Sequence, residues 1–487
     1  MEATIGSIHK AYTTGSLTAT ELVSMYLARI EKYDSISKLN SIVVINPSAM
    51  KDAARLDSLF LATGKLLPLH GIPLIIKDNI DTRGLQTAAG SAAMKGFEPS
   101  ADATIIKRLR EAGAIVLGKS NMAEWAFSPM VTISSIAGET LNPYNLDHVP
   151  AGSSGGTAAA VAANFGTAGL GTDTGNSIRG PSSHNALVGF RSTIGLVSRS
   201  GIVPLYLRND VVGPMTRTVE DAARMLDVIA GYDPADPVTI HSNGMIPESY
   251  LSFLDRDGLK GSRIGVLRVL SDNDPDPEVA ELFENALQDI AMLGGEIVDP
   301  VDVPNFQELS SHQWTSSFQF DLNNYLANED DPPVHNLEEV VAAGNYSDYI
   351  ESSLEYNLEF RDDPEKRDPP ALDAYNDPRR IAFREAIEKV MDEMELDAIV
   401  YPTWINKPAR TGHFEEYLGD NSQIIAPHTG QPAFTIPMGY SSGNLPAGIQ
   451  FLGRMFDEPL LVKICYSFEQ GTNHRKPPEL FSDELKK

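Results

Sequence analysis

The sequence predicts an α/β fold with a central mixed, mostly parallel sheet flanked by helices. Three observations carry this expectation. Short β-rich apolar runs alternate along the chain with longer segments of helical period. Two of the runs, residues 72–76 and 114–117, are almost wholly apolar, as strands buried on both faces are. At 487 residues and 42% apolar content, the chain can bury a large core.

The elements follow in order. Thr18-Ala-Thr-Glu21 reads as a capping box, and Leu22, Val23, Tyr26, Leu27 and Ile30 continue it at helical spacing. Residues 41–45 read as a strand and 49–61 as a helix. The apolar run 72–76 ends abruptly in Lys77-Asp-Asn79, where open α/β sheets tend to bind ligands. A surface lysine paired with Asp78 is the plainer reading of Lys77. Residues 103–112 read as helix and 114–117 as strand. Gly113 through Ser120 fits the phosphate-loop pattern in spelling only, because its four middle residues are the strand itself. The stretch Asn121-Met-Ala-Glu-Trp-Ala-Phe-Ser-Pro129 is a candidate pocket wall. Further helices are expected from Thr218 through Ile229, after Asp276-Pro277, over 378–394 and over 458–469. Strands are expected at 262–267 and 397–401, with a strand pair at 433–437 and 447–452. Residues 306–382 are polar, acidic and aromatic. They read as a peripheral helical segment that covers the site. Residues 1–487 are otherwise read as one domain.

The chemistry concentrates between Ala151 and Pro181. Gly, Ala, Ser and Thr dominate there, as a backbone that approaches a ligand closely requires. A flexible linker is the alternative. Against it stand the helix-forming run 158–164 and the Asp173 and Arg179 that bracket a serine. Gly152-Ser-Ser-Gly-Gly156 fits the G-x-S-x-G nucleophile elbow, with Ser154 as nucleophile of an α/β-hydrolase-like esterase. That motif needs a preceding strand, and residues 142–150 make a poor one. The stronger arrangement combines Ser177, Ser153 and Lys77. A serine hydroxyl needs a base. A lysine can serve once burial lowers its pKa, and a second serine can pass the proton.

The motifs carry a resemblance. Gly71-Ile-Pro-Leu-Ile-Ile-Lys-Asp-Asn, Gly118-Lys-Ser-Asn-Met, Gly152-Ser-Ser-Gly-Gly, Gly171-Thr-Asp-Thr-Gly-Asn-Ser-Ile-Arg, Gly213-Pro-Met-Thr-Arg-Thr-Val-Glu-Asp and Gly430-Gln-Pro-Ala are similar to those of the amidase signature family. The resemblance implies one large α/β/α domain and a serine–cis-serine–lysine triad. Its roles fall on Ser177 as nucleophile, Ser153 as bridging serine and Lys77 as base. The peptide bond before Ser153 is then expected to be cis. The implied oxyanion hole is the backbone of Thr174, Gly175, Asn176 and Ser177, supported by Ser154, Thr172, Asp173 and Arg179. Trp125, Ala126, Phe127 and Met130 are the implied substrate wall.

The sequence also departs from the family. Asn176 replaces the usual glycine, and asparagine's tolerance of left-handed backbone is the expected reason that it fits. Gly189-Phe-Arg-Ser-Thr193 and Gly180-Pro-Ser-Ser-His184 are atypical. These departures weigh against a glutaminase-type component of a tRNA-dependent amidotransferase. The expected function is hydrolysis of small non-peptide amides, aryl or hydrophobic, through an acyl-enzyme, with ester and carbamate (urethane) cleavage as side activities.

Composition narrows the partners. Lys and Arg number 39, Asp and Glu 66, and the net charge of −27 speaks against nucleic acid or an anionic membrane. Cys465 is the single cysteine, so no disulfide framework is expected. No metal or cofactor is implied. No basic-then-apolar stretch opens the sequence and no apolar run is long enough to span a bilayer, so a cytoplasmic monomer or homodimer is the expectation.

Overall fold

In the computed structural model, which describes residues 2–34 and 36–481, the chain winds around an eleven-stranded sheet. The first strands are β1 Ile42–Ile45, β2 Pro73–Lys77, β3 Ile115–Ser120, β4 Ile133–Ser134, β5 Gly138–Glu139 and β6 Ala168–Asp173. There follow β7 Val188–Arg191, β8 Val211–Thr216, β9 Arg263–Val266, β10 Glu296–Val298, β11 Ala398–Pro402, β12 Ala433–Ser441 and β13 Leu445–Leu452. β4 and β5 form a separate two-stranded ribbon, and the large sheet runs β1-β3-β2-β6-β8-β7-β12-β13-β11-β9-β10. It is mixed, as alternation predicts. Parallel pairing forms two blocks, β3-β2-β6 and β11-β9-β10, and the pairs between them are antiparallel.

The first parallel block positions the site. β2 and β6 lie side by side, with Ile76 opposite Leu170. Lys77 closes β2 and Asp173 closes β6, so their carboxyl ends meet at one edge of the sheet. β3 runs on through Ser120, so Gly118 and Lys119 are strand residues. That disposes of the phosphate-loop spelling.

The Gly/Ser-rich stretch is not a linker. All eight residues of the helix Gly155–Ala162 are buried, and it packs on β2, β6 and β8. Small residues are required there. A Cβ on Gly156 would lie 2.1 Å from the carbonyl oxygen of Asn121, and one on Gly152 2.4 Å from that of Val131.

The helices predicted along the chain form close to their expected bounds, among them Ala19–Tyr33, Ala49–Thr63, Thr104–Glu111, Val219–Ile229, Pro277–Met292, Pro378–Glu393 and Glu458–Thr472. One further helix, Ile5–Thr13, precedes them and buries Ile5, Ile8 and Tyr12. Within 306–382 three short helices, Phe318–Ala327, Leu337–Ala343 and Glu351–Asn357, share an apolar cluster with Met94, Met122 and Trp125. Among the described residues no helix is long and apolar enough to cross a membrane.

Candidate active site

Lys77 enters the site from the end of β2 with no exposed surface. Its Nζ donates to Ser153 Oγ at 2.7 Å, to Thr172 Oγ1 at 2.8 Å and to the Thr172 carbonyl at 3.3 Å. None of these acceptors is a carboxylate. Burial strips water from the ammonium and lowers its pKa from 10.5 to about 7, against the opposing pull of Asp173 and Asp210. Asp78 is turned away, as alternation along a strand requires. Its Oδ1 lies 3.7 Å from Nζ of the buried Lys119, and its Oδ2 accepts from the Ala88 N–H at 3.3 Å. The reading of Lys77 as a surface lysine paired with Asp78 therefore fails.

The peptide bond between Gly152 and Ser153 is cis. Ser154, next in the chain, is buried and donates to the Thr172 carbonyl at 3.2 Å. Among the described residues no strand leads into it, so the context of a nucleophile elbow is missing.

Ser177 lies on the loop 174–177, between β6 and the short helix Arg179–His184. Its Oγ donates to Asn176 Oδ1 at 3.3 Å, not to Ser153. With Thr174, Gly175 and Asn176 it lines a cavity of about 330 Å³. The backbone N–H groups of these four residues donate to no backbone acceptor among the described residues.

The loop is held from behind. The Asp173 carboxylate accepts from Arg179 Nε at 3.1 Å, from Arg191 Nη1 at 2.8 Å and from the Ile178 N–H at 3.1 Å. Burial would raise its pKa, but the two guanidiniums outweigh burial and hold it at about 2. Arg179 Nη2 also donates to the Gly175 carbonyl at 2.7 Å, and Thr174 Oγ1 to Asp210 at 2.5 Å. Asn176 Nδ2 donates to the Pro129 carbonyl at 3.0 Å. Asn176 is absent from the residues with positive φ. Its side-chain bonds place it here, not tolerance of left-handed backbone.

The cavity wall corrects the expected one. Ala126 and Phe127 line it, but Trp125 and Met130 do not. Trp125 and Ala126 both have positive φ, 52° and 61°, so the chain twists between them. Trp125 turns into the apolar cluster against Phe318, while Met130 packs with Val131, Val149 and Ala409. The rest of the wall includes Leu205, Tyr206, Trp314, Tyr356 and Gln423, none singled out from the sequence, although Trp314 and Tyr356 fall in the segment 306–382 expected to cover the site.

Comparison with known proteins identifies the fold. A family profile described as Amidase matches residues 21–462. The chain belongs to the amidase family. A probable amidase of Arabidopsis thaliana is 34% identical, covering 99% of this chain and 92% of that protein. The crystal structure of native peptide amidase from Stenotrophomonas maltophilia shares 35% identity over 99% of each chain, with a TM-score of 0.87. A glutamyl-tRNA(Gln) amidotransferase component of Alkaliphilus metalliredigens is 33% identical over 96% of each chain. The protein is thus an amidohydrolase of amide C–N bonds.

In this amidase Arg191 and Asp210 complete the support of the loop, and sequence reasoning missed both. The signal for Arg191 was present in Gly189-Phe-Arg-Ser-Thr193, one of the departures from the family pattern. One surface trio, His413, Glu415 and Glu416, has ligand atoms within 4.8 Å of one another. His413 already meets Glu415, and Glu416 meets Arg410.

Proposed function

We propose that this amidase hydrolyses small aryl and hydrophobic amides through an acyl-enzyme on Ser177, with Ser153 as proton bridge and Lys77 as base. The observation that carries the reading is the 2.7 Å hydrogen bond from a fully buried Lys77 to Ser153 Oγ. A neutral amine there accepts the Ser153 proton while Ser153 takes that of Ser177. For this step the Ser177 hydroxyl exchanges Asn176 Oδ1, its acceptor at 3.3 Å, for Ser153. Its oxygen then attacks the amide carbonyl. The N–H groups of the loop 174–177 supply the donors for the tetrahedral oxyanion. The proton returns through the same two groups to the leaving amine, and water repeats the cycle on the acyl-enzyme. Esters and carbamates present the same carbonyl and are expected as weaker substrates.

The wall supports aromatic and apolar groups: Phe127, Leu205, Tyr206, Trp314 and Tyr356 surround the cavity. The similarity to a peptide amidase makes peptide amides a further class to assay beside anilides. The similarity to an amidotransferase component leaves a partner-dependent glutaminase as the second reading. Turnover of an anilide by the purified chain, without glutamine or a partner, separates the two. A serine-reactive phosphonate should label Ser177, and Ser177→Ala should abolish both labelling and turnover while keeping the melting temperature. A label on Ser154 would overturn the assignment.

A further inference from the structure

Behind one wall of the cavity lie buried guanidiniums whose nitrogens meet no carboxylate at hydrogen-bond distance among the described residues. Trp314, a cavity residue, packs edge-on against His428 with ring centroids 4.5 Å apart, and its ring lies 6.2 Å from that of Tyr206. Arg208 and Asn209 follow Tyr206 in the chain. Arg208 is 9% exposed, yet none of its three guanidinium nitrogens meets an acceptor among the described residues. Arg380 is 1% exposed and spends only Nη2, on Asn209 Oδ1 at 2.8 Å. Its Nε and Nη1 are unpaired, as is Asn209 Nδ2. Buried donors are almost always satisfied, and an unpaired buried charge is strongly unfavourable.

Asp321, Asp373 and Asp377 act on these guanidiniums through space, without a hydrogen bond to either among the described residues. Asp321 accepts from Ser317 Oγ at 2.5 Å and from the Leu207 N–H at 2.9 Å. Asp377 is held by Arg379 at 2.8 Å. His428 adds no further positive charge. Burial, then Arg380 and Arg191, keep it neutral, and its Nδ1 is also unpaired. Two planar guanidiniums and an amide thus hold unspent N–H donors, the kind of group that binds a small oxyanion, a guanidinium fork in bidentate fashion.

We propose that Arg208, Arg380 and Asn209 form an anion subsite for a carboxylate, behind the wall of the substrate cavity. The carboxylate belongs either to the substrate, an amide with an acid group remote from the scissile bond, or to a free small anion. The substrate arm rests on the cavity being the substrate site. The subsite itself does not.

Two measurements test it. The melting temperature of the unmodified enzyme is recorded in acetate, succinate and sulfate, with chloride at the same ionic strength as control. In parallel, kcat/KM is measured for a 4-nitroanilide carrying a succinyl group and for its butyryl counterpart. A substrate carboxylate predicts a preference for the succinyl anilide of about tenfold or more, falling towards one in Arg208→Met and in Arg380→Met. The ratio cancels any loss of folded enzyme. A free anion predicts a rise in melting temperature beyond that in chloride, with the ratio near one throughout. No anion-specific rise together with a ratio near one overturns the proposal. So does a preference that survives both substitutions. If neither anilide is turned over, the cavity assignment fails while the melting shift still decides the subsite.

Discussion

Lys77 shows how far one residue can be argued. A lysine at the end of an apolar strand was legible as a candidate base, because strand and sheet edge place it. Its state was not legible, since that depends on Ser153 and Thr172, which lie 76 and 95 residues further along the chain. With its pKa lowered to about 7 by burial, the neutral form dominates above that pH. Under the proposed roles, kcat/KM should rise from about pH 6 and level off above about pH 8. Lys77→Arg should lose nearly all activity, since guanidinium does not deprotonate. An active Lys77→Arg enzyme would remove Lys77 as the base. The same shift governs stability. The unfolded chain binds this proton up to about pH 10.4, and the folded chain only below about 7. The group therefore lowers stability below pH 7, and the penalty fades as pH rises towards 10. Lys77→Met should gain more stability relative to wild type at pH 6 than at pH 9 in matched denaturant titrations.

At the scale of elements, the loop 174–177 carries four N–H groups without a backbone acceptor among the described residues, and Asp173 ties the loop down. Its carboxylate ties together the end of β6, the first turn after Ser177 and, through Arg191, the end of β7. The sequence showed Asp173 and Arg179 bracketing a serine, but Arg191 and Asp210 are recruited from further along the chain, so only the fold brings them in. The same holds for Gly118-Lys-Ser120. Lys119 is a buried strand cation satisfied by the Ile80 and Gln86 carbonyls and by Thr87, a role no local pattern announces. Asp173→Asn keeps the shape and leaves two buried guanidiniums facing a neutral amide. Removing one partner of a buried ion pair costs about 3–5 kcal/mol. That loss should appear at pH 7 in urea titration, with activity falling by about 100-fold or more as the loop loosens. The wild-type contribution is complete above about pH 5, where the unfolded carboxyl is ionised, and is lost as pH falls towards 2. The mutant should lack that acid-dependent part. A variant with full stability and activity would show that the loop does not depend on this carboxylate.

Across the whole molecule, the site is assembled from segments far apart in the chain. Lys77, Ser153 and Ser177 come from the first half, where motif spacing made them legible. The wall draws also on Trp314, Thr315, Ser316 and Tyr356 from the segment 306–382 and on Gln423. Composition marked that segment as peripheral and covering the site, but which of its residues reach the cavity is a matter of tertiary packing. Trp125 was the natural choice from the sequence, yet its ring supports Phe318 from behind while Trp314 occupies the wall. Trp314 is 43% exposed and has no buried polar role, so Trp314→Ala should cost only about 1 kcal/mol of stability. Its ring lies over the loop, since a Cβ on Gly175 would stand 3.0 Å from Trp314 Cη2. Losing it should widen the cavity at the end nearest Ser177. Across 4-nitroanilides of increasing acyl size, the variant should raise KM for aromatic acyl groups by about tenfold, in line with about 1.4 kcal/mol of lost contact. It should leave kcat for the acetyl anilide within about twofold, because none of the proposed proton carriers is touched. A uniform fall in kcat with KM unchanged would place Trp314 in the support of the loop rather than in the wall that holds the substrate.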